Sequence, residues 1–161
     1  MEKQEPGLSL HLLDWPPVWT AGAVVLALLA AQVLPWPVLG AAGRVLGAML
    51  VLAGLALMAV AAWEMRRART TVIPRRQPSA LVTTGIFAFS RNPIYLGDLS
   101  VAAGAMLWLQ VPWALPLVGV LARVLRTRFI DAEEQRLIAG FGAEYGLWAA
   151  RTARWLGWKA G

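Results

Sequence analysis

Nineteen consecutive residues, 45–63, carry no charge and are bounded by Arg44 and Glu64. That length is close to the roughly 20 residues a helix needs to cross the hydrocarbon of a bilayer. Residues 18–34 form a second uncharged run, slightly short and rich in Ala, Val and Leu, which closes at Pro35-Trp36-Pro37. Residues 94–122 form a third, with Asp98 as its single charge. At 58% hydrophobic over 161 residues, the chain is too apolar for an ordinary soluble domain of this size, and membrane insertion is the expected outcome.

The third run is long for one span and short for two full ones. Pro112 and Pro116 interrupt its middle, and Trp108 and Trp113 bracket residues 109–112 as interfacial aromatics would at a hairpin tip. Arg91 precedes the run and Arg123, Arg126 and Arg128 follow it, so both ends should face one side. Of 15 Lys and Arg, only Arg44 then falls on the far side. The expected fold is all-α: a polytopic membrane protein of about four transmembrane helices, including a tight C-terminal helical hairpin, plus a cytosolic C-terminal helix. The chain is expected to form one integral-membrane domain over residues 1–161, with both termini cytoplasmic, in a membrane of the bacterial inner type. Gly47 and Gly54 invite close helix packing in the second span.

Composition removes several chemistries. Cys is absent and His11 is the only histidine, so thiolate metal sites, a Cys nucleophile, a His metal cluster and a Ser-His-Asp triad cannot be assembled. No metal site is expected. The net charge of +6 would suggest nucleic acid in a soluble protein, but here the arginines flank apolar runs and read as orientation signals, so no nucleic-acid partner is expected. Residues 1–14 carry both signs and lack an apolar core, unlike a secretory signal. With Trp15 and Trp19 they read as an amphipathic lead-in. The basic segment around Arg66, Arg67, Arg69, Arg75 and Arg76 reads as positive-inside anchoring along the headgroups. Arg151, Arg154 and Lys159, with Trp155 and Trp158, read as a terminal surface anchor.

Chemistry concentrates at Gly85 to Gly97. Asn92-Pro93 reads as a helix start, since Asn is a good cap and Pro at the first helical position gives up only an N–H that had no partner. The helix's free N–H groups and positive dipole end then point back at Arg91, a ready pocket for a carboxylate or phosphate. A capped helix beside an interfacial Arg explains the same pattern without function. Further on, Glu133, Leu137, Phe141, Tyr145 and Trp148 recur at spacings of four and three, one helical face with a carboxylate in an apolar stripe. Glu133 therefore either pairs with an arginine or reaches into a site. Glu134 points elsewhere. Asp98 is either a functional acid in a membrane helix or one that bonds to a neighbour near the interface. Neither a P-loop nor a G-x-G-x-x-G after a strand is present, so a nucleotide-type cofactor would need another architecture.

The ordered set Leu81-Val82-Thr83-Thr84-Gly85-Ile86-Phe87, Arg91-Asn92-Pro93-Ile94-Tyr95-Leu96-Gly97, Glu133-Glu134 and Phe141-Gly142-Ala143-Glu144-Tyr145 resembles the integral-membrane methyltransferases, the isoprenylcysteine carboxyl methyltransferase and phospholipid methyltransferase group. The resemblance covers roughly residues 70–155. It implies S-adenosylmethionine as cofactor, bound outside any Rossmann fold in a cytosol-facing pocket of residues 71–161, with membrane lipids around it and a lipid-like or apolar acceptor arriving from the bilayer. Carried over by motif, Leu81, Val82, Phe87, Asn92, Pro93, Ile94 and Tyr95 would line the cofactor site and Glu133 would complete it, with Glu134 beside it. Glu133, Arg91 and Arg128 are the candidate catalytic residues, Arg128 being the nearest match to an arginine the family uses near the acceptor. The chain departs from the pattern in three places: Asn92 stands where the eukaryotic carboxyl methyltransferases have His, Phe87 replaces a usual Tyr, and Trp148 stands where Tyr is common. Two other readings compete. One is a non-catalytic scaffold or lipid-binding protein that retains the fold, and the other a transporter subunit built round Asp98.

Overall fold

The structure, a computed structural model, describes residues 15–71, 73 and 78–157. The lead-in at 1–14, Arg75 and Arg76 of the basic segment, and Trp158 and Lys159 of the terminal anchor lie outside the described residues. The chain is an all-α membrane protein. Helix α1 spans Pro16–Val33, α2 Gly40–Arg67, α3 Pro93–Trp108, α4 Pro116–Leu125 and α5 Asp131–Arg151. A single π turn, Arg126–Ile130, joins α4 to α5 without a loop.

Proline sets most of the helix starts. Pro16 and Pro17 open α1, Pro93 opens α3 and Pro116 opens α4, each where the missing N–H costs nothing. Helix α1 ends ahead of Pro35. Helix α2 runs past both charges that bound its apolar run and ends on Arg66 and Arg67, which favour the negative end of its dipole. Helices α1 and α2 are each long and apolar enough to cross a membrane. Among the described residues, Trp36, Trp108 and Trp113 are exposed around the tip, and Trp15 and Trp63 are exposed near the other end of α1 and α2, as interfacial belts would be.

The packing is inside-out relative to a water-soluble bundle. On α1 the buried residues are Pro16, Thr20, Ala23 and Ala27, while Val25, Leu26, Leu28 and Leu29 face outward. On α2 the buried stripe is Gly43, Gly47, Gly54 and Ala61, while Leu46, Met49, Leu52 and Leu55 face outward. Lipid is as apolar as leucine, so large side chains gain nothing by turning inward, and small ones let backbones meet. The α2–α3 pairing is the most extensive in the fold. A Cβ placed on Gly47 would lie 2.6 Å from the Gly104 carbonyl, and one on Gly54 2.7 Å from the Gly97 carbonyl.

The tip of the α3–α4 hairpin grips the α1–α2 turn. The Trp36 N–H donates to the Gln110 carbonyl (2.9 Å), Trp113 Nε1 to the Leu34 carbonyl (3.1 Å) and Gln110 Nε2 to the Gly40 carbonyl (3.1 Å). This clasp satisfies backbone groups that the two turns would otherwise leave unpaired. It also fixes α3 against α1 and α2, so the opposite end of the bundle holds the start of α3 in one place.

Candidate active site

The start of α3 forms as the sequence leads one to expect, with Asn92 in the cap position and Pro93 first in the helix. The cap itself differs. The Asn92 side chain makes no capping bond. Its Nδ2 donates to the Arg154 carbonyl (3.0 Å), while Ser90 Oγ accepts the Asn92 N–H (3.1 Å). Asn92 thereby ties the loop before α3 to the chain after α5. Two backbone bonds reinforce the seam: Arg91 N–H to the Ala153 carbonyl and Gly157 N–H to the Phe89 carbonyl, each 3.0 Å.

Residues 81 and 82 reach the same region through a turn at Gly85–Ala88. Both Glu64 carboxylate oxygens, at the end of α2, accept the Ile86 N–H at 3.2 Å. Gly85 has φ +58, and a Cβ there would run into the Glu64 carboxylate. Gly85→Ala is therefore expected to cost at least about 1–2 kcal/mol from left-handed strain alone. The cost should show as a lowered melting temperature, and an unchanged one would mean the turn is held elsewhere.

A cavity opens where these pieces meet α5. Of the candidate residues, Leu81, Val82, Arg91, Asn92, Pro93, Ile94, Tyr95, Glu133 and Glu134 line it. The Tyr95 hydroxyl donates to Glu133 Oε1 at 2.8 Å, across 38 positions of sequence, and the Tyr95 ring stacks on Phe129. Arg91 donates to the Tyr145 hydroxyl (2.9 Å) and pairs with Glu134 (3.3 Å), which also accepts from Arg154 Nε (3.0 Å). Arg91 Nε is buried with no hydrogen-bond partner among the described residues. Burial pushes the Glu133 carboxyl above its ordinary range, opposed by the Tyr95 hydrogen bond and the charge of Arg136. Burial also raises Tyr145, helped by Glu134, and the hydrogen bonds to Glu134 raise Arg154.

Two of the candidate residues, Phe87 and Arg128, stand outside the lining. Phe87 is buried under the cavity with Ala61, Tyr145 and Trp148, outside the lining, and only its carbonyl takes part, accepting Trp148 Nε1 at 3.0 Å. Arg128 is exposed on the outer side of the π turn, its guanidinium 4.9 Å from the Trp19 ring. A π turn holds one residue more than an α turn. Here Phe129 and Ile130 are the buried residues, and Arg128 is not part of the cavity lining.

The arginine that does line the cavity from this side is Arg136, three residues after Glu133 and so on a neighbouring line of the same helix. Nothing in the spacing marks it out, because it sits between the apolar positions of the stripe. Leu137, Tyr145 and Trp148 also line the cavity, and these were legible as the face that carries Glu133. Gly142 breaks α5 (φ 48, ψ −118), yet Tyr145 and Trp148 beyond it still face the cavity. In the sequence Arg154 reads as part of a surface anchor. Its role in holding Glu134 depends on the tail folding back, which no periodicity encodes.

Comparison with known proteins fits this geometry. A family model described as phospholipid methyltransferase matches residues 42–144, from the start of α2 to the far side of the α5 kink. Protein-S-isoprenylcysteine O-methyltransferase of Saccharomyces cerevisiae is 35% identical over 102 residues, which cover 62% of this chain and 42% of that protein. The chain thus spans less than half the length of that relative. No solved structure matches. The matched span takes in the Gly85 turn, the start of α3, the hairpin and the Glu133-Glu134 pair, so the chain belongs to the phospholipid methyltransferase family.

Proposed function

We propose that this protein transfers a methyl group from S-adenosylmethionine to a lipid-like or small apolar acceptor at the cytosolic face of a bacterial inner-type membrane. The observation that carries the reading is the joining of the proline-led start of α3 to the acidic helix α5 through Tyr95 and Glu133, around one cavity.

The residues suit the cofactor. Its amino-acid carboxylate matches the buried, unpartnered Arg91 Nε beside the positive end of α3. Its cationic sulfonium matches Glu133 and the aromatic faces of Tyr95 and Trp148. When bound, the cofactor supplies an electrophilic methyl. The chain's part is to align it with the acceptor, and alignment is the main requirement of an in-line displacement. Tyr95 holds one oxygen of Glu133, Glu134 and Tyr145 hold Arg91, and the apolar lining of Leu81, Val82 and Ile94 keeps water out. Arg66, Arg67, Arg69, Arg91 and Arg154 gather at the cavity end and Arg44 lies at the other, which supports a cytoplasmic cavity.

Calorimetric titration of the purified protein with S-adenosylhomocysteine tests the reading, and an absence of binding overturns it. Arginine substitutions sharpen it. Arg128→Ala should leave that affinity within about twofold, as an exposed side chain away from the site. Arg136→Ala should weaken it measurably. The reverse order would move the site to the outside of the π turn.

A further inference from the structure

Asp98 is the one charge of the run 94–122, and the chemistry described above leaves it unused. It is 2% exposed. The Thr20 hydroxyl of α1 donates to its Oδ1 at 2.8 Å. Among the described residues its buried Oδ2 has no hydrogen-bond partner and no ion pair reaches it. Nevertheless Asp98 lines the cavity, with Pro16 and Pro17 from the start of α1. It lies three residues beyond Tyr95 and so deeper along the same side of a membrane helix. The Tyr95 hydroxyl already donates to Glu133, and Arg91 is occupied with Glu134 and Tyr145.

A carboxylate oxygen held in an apolar cavity without a donor is costly unless something that binds there supplies one. We propose that Asp98, oriented by Thr20, is the acceptor-anchoring residue of this cavity, and that its free Oδ2 receives an N–H from an amine-bearing acceptor. The inference rests on the methyl-transfer reading above and narrows it. An acceptor carboxylate brought to the same place would meet a like charge, so Asp98 also rejects that class. The O-methylation for which the yeast relative is named therefore does not carry over to this chain. The amine can belong to an aminophospholipid or to a single-chain alkylamine, since both present the same N–H group.

The test is binding, read by native mass spectrometry of the full chain in detergent. The probes are dioleoylphosphatidylethanolamine, dodecylamine and N-acetyl-S-farnesylcysteine, with S-adenosylhomocysteine calorimetry run on every variant. The expected result is retention of one or both amines over the farnesylcysteine carboxylate. Asp98→Asn and Thr20→Val should each weaken amine retention, Asp98→Asn by about tenfold or more, with S-adenosylhomocysteine affinity unchanged. Retention of the lipid alone or of the alkylamine alone identifies the source and supports the proposal. If the analogue binds but Asp98→Asn holds amines as well as the parent, or the farnesylcysteine is preferred, the anchoring role is wrong and the methyl-transfer reading survives. If the parent chain binds no analogue, both fall. Thr20→Val keeps the test decisive should Asp98→Asn fail to fold.

Discussion

Gly54→Leu is expected to yield little or no folded protein. The new side chain would start 2.7 Å from the Gly97 carbonyl and 3.0 Å from Ser100 Cβ. The first of these is backbone and cannot rotate aside, so α2 and α3 must separate along their length. Overpacking of this kind costs about 3 kcal/mol or more, a large share of a typical net stability of about 5–15 kcal/mol. Gly47→Leu should behave alike, since a Cβ there meets the Trp108 N at 2.5 Å. Leu52→Ala on the same helix faces outward and should leave melting nearly unchanged. Yield of monodisperse protein and its melting temperature are the measurements. A Gly54→Leu protein that melts with the parent would mean that α2 and α3 do not meet as closely as described. Because α3 carries Tyr95 and Asp98, any separation that still folds should show up as weakened ligand binding.

Glu133→Gln is expected to separate two ligands that differ by one charge. Glutamine keeps an oxygen for the Tyr95 hydroxyl and removes the negative charge from the cavity. S-adenosylmethionine carries a sulfonium cation and S-adenosylhomocysteine does not. Affinity for the first should fall by roughly ten- to a hundredfold, while affinity for the second changes little. Methyl transfer should fall at least as far. The parent should show the same effect through pH. Burial raises the Glu133 carboxyl, so the charged form is lost at a higher pH than for an ordinary carboxylate. S-adenosylmethionine binding should therefore strengthen as pH rises through that raised value and weaken as pH falls back through it. The neutral analogue should show no such limb, and Glu133→Gln should abolish it. Equal losses for both ligands would assign Glu133 a packing role.

Much of the site could be read along the chain because its parts are local. Asn92-Pro93 starts a helix wherever it occurs before a helical run, and the spacing of Glu133, Leu137, Tyr145 and Trp148 makes a face regardless of what that face meets. The hairpin tip was legible for the same reason, from Pro112, Pro116 and the two tryptophans. Arg128 lies exposed in a π turn, outside the cavity lining, and a π turn has no marker in the spacing of apolar residues. Phe87 sits where the family motif puts it in sequence, but the turn at Gly85 directs its ring into the core under the cavity.

The sequence by itself determined that this chain is helical and membrane-bound, that a helix begins at Asn92-Pro93, and which face of the last helix carries an acid. These follow from the cost of bare backbone in lipid and from the helical repeat, both of which act over a few residues. Only the tertiary structure decided that Glu133 meets Tyr95, that Arg154 and Arg91 share Glu134, and that Asp98 keeps one oxygen without a partner among the described residues. Each depends on the depth to which glycine lets α2 and α3 approach and on the path of the chain after α5. Those are set by contacts between residues far apart in sequence, which no local pattern records.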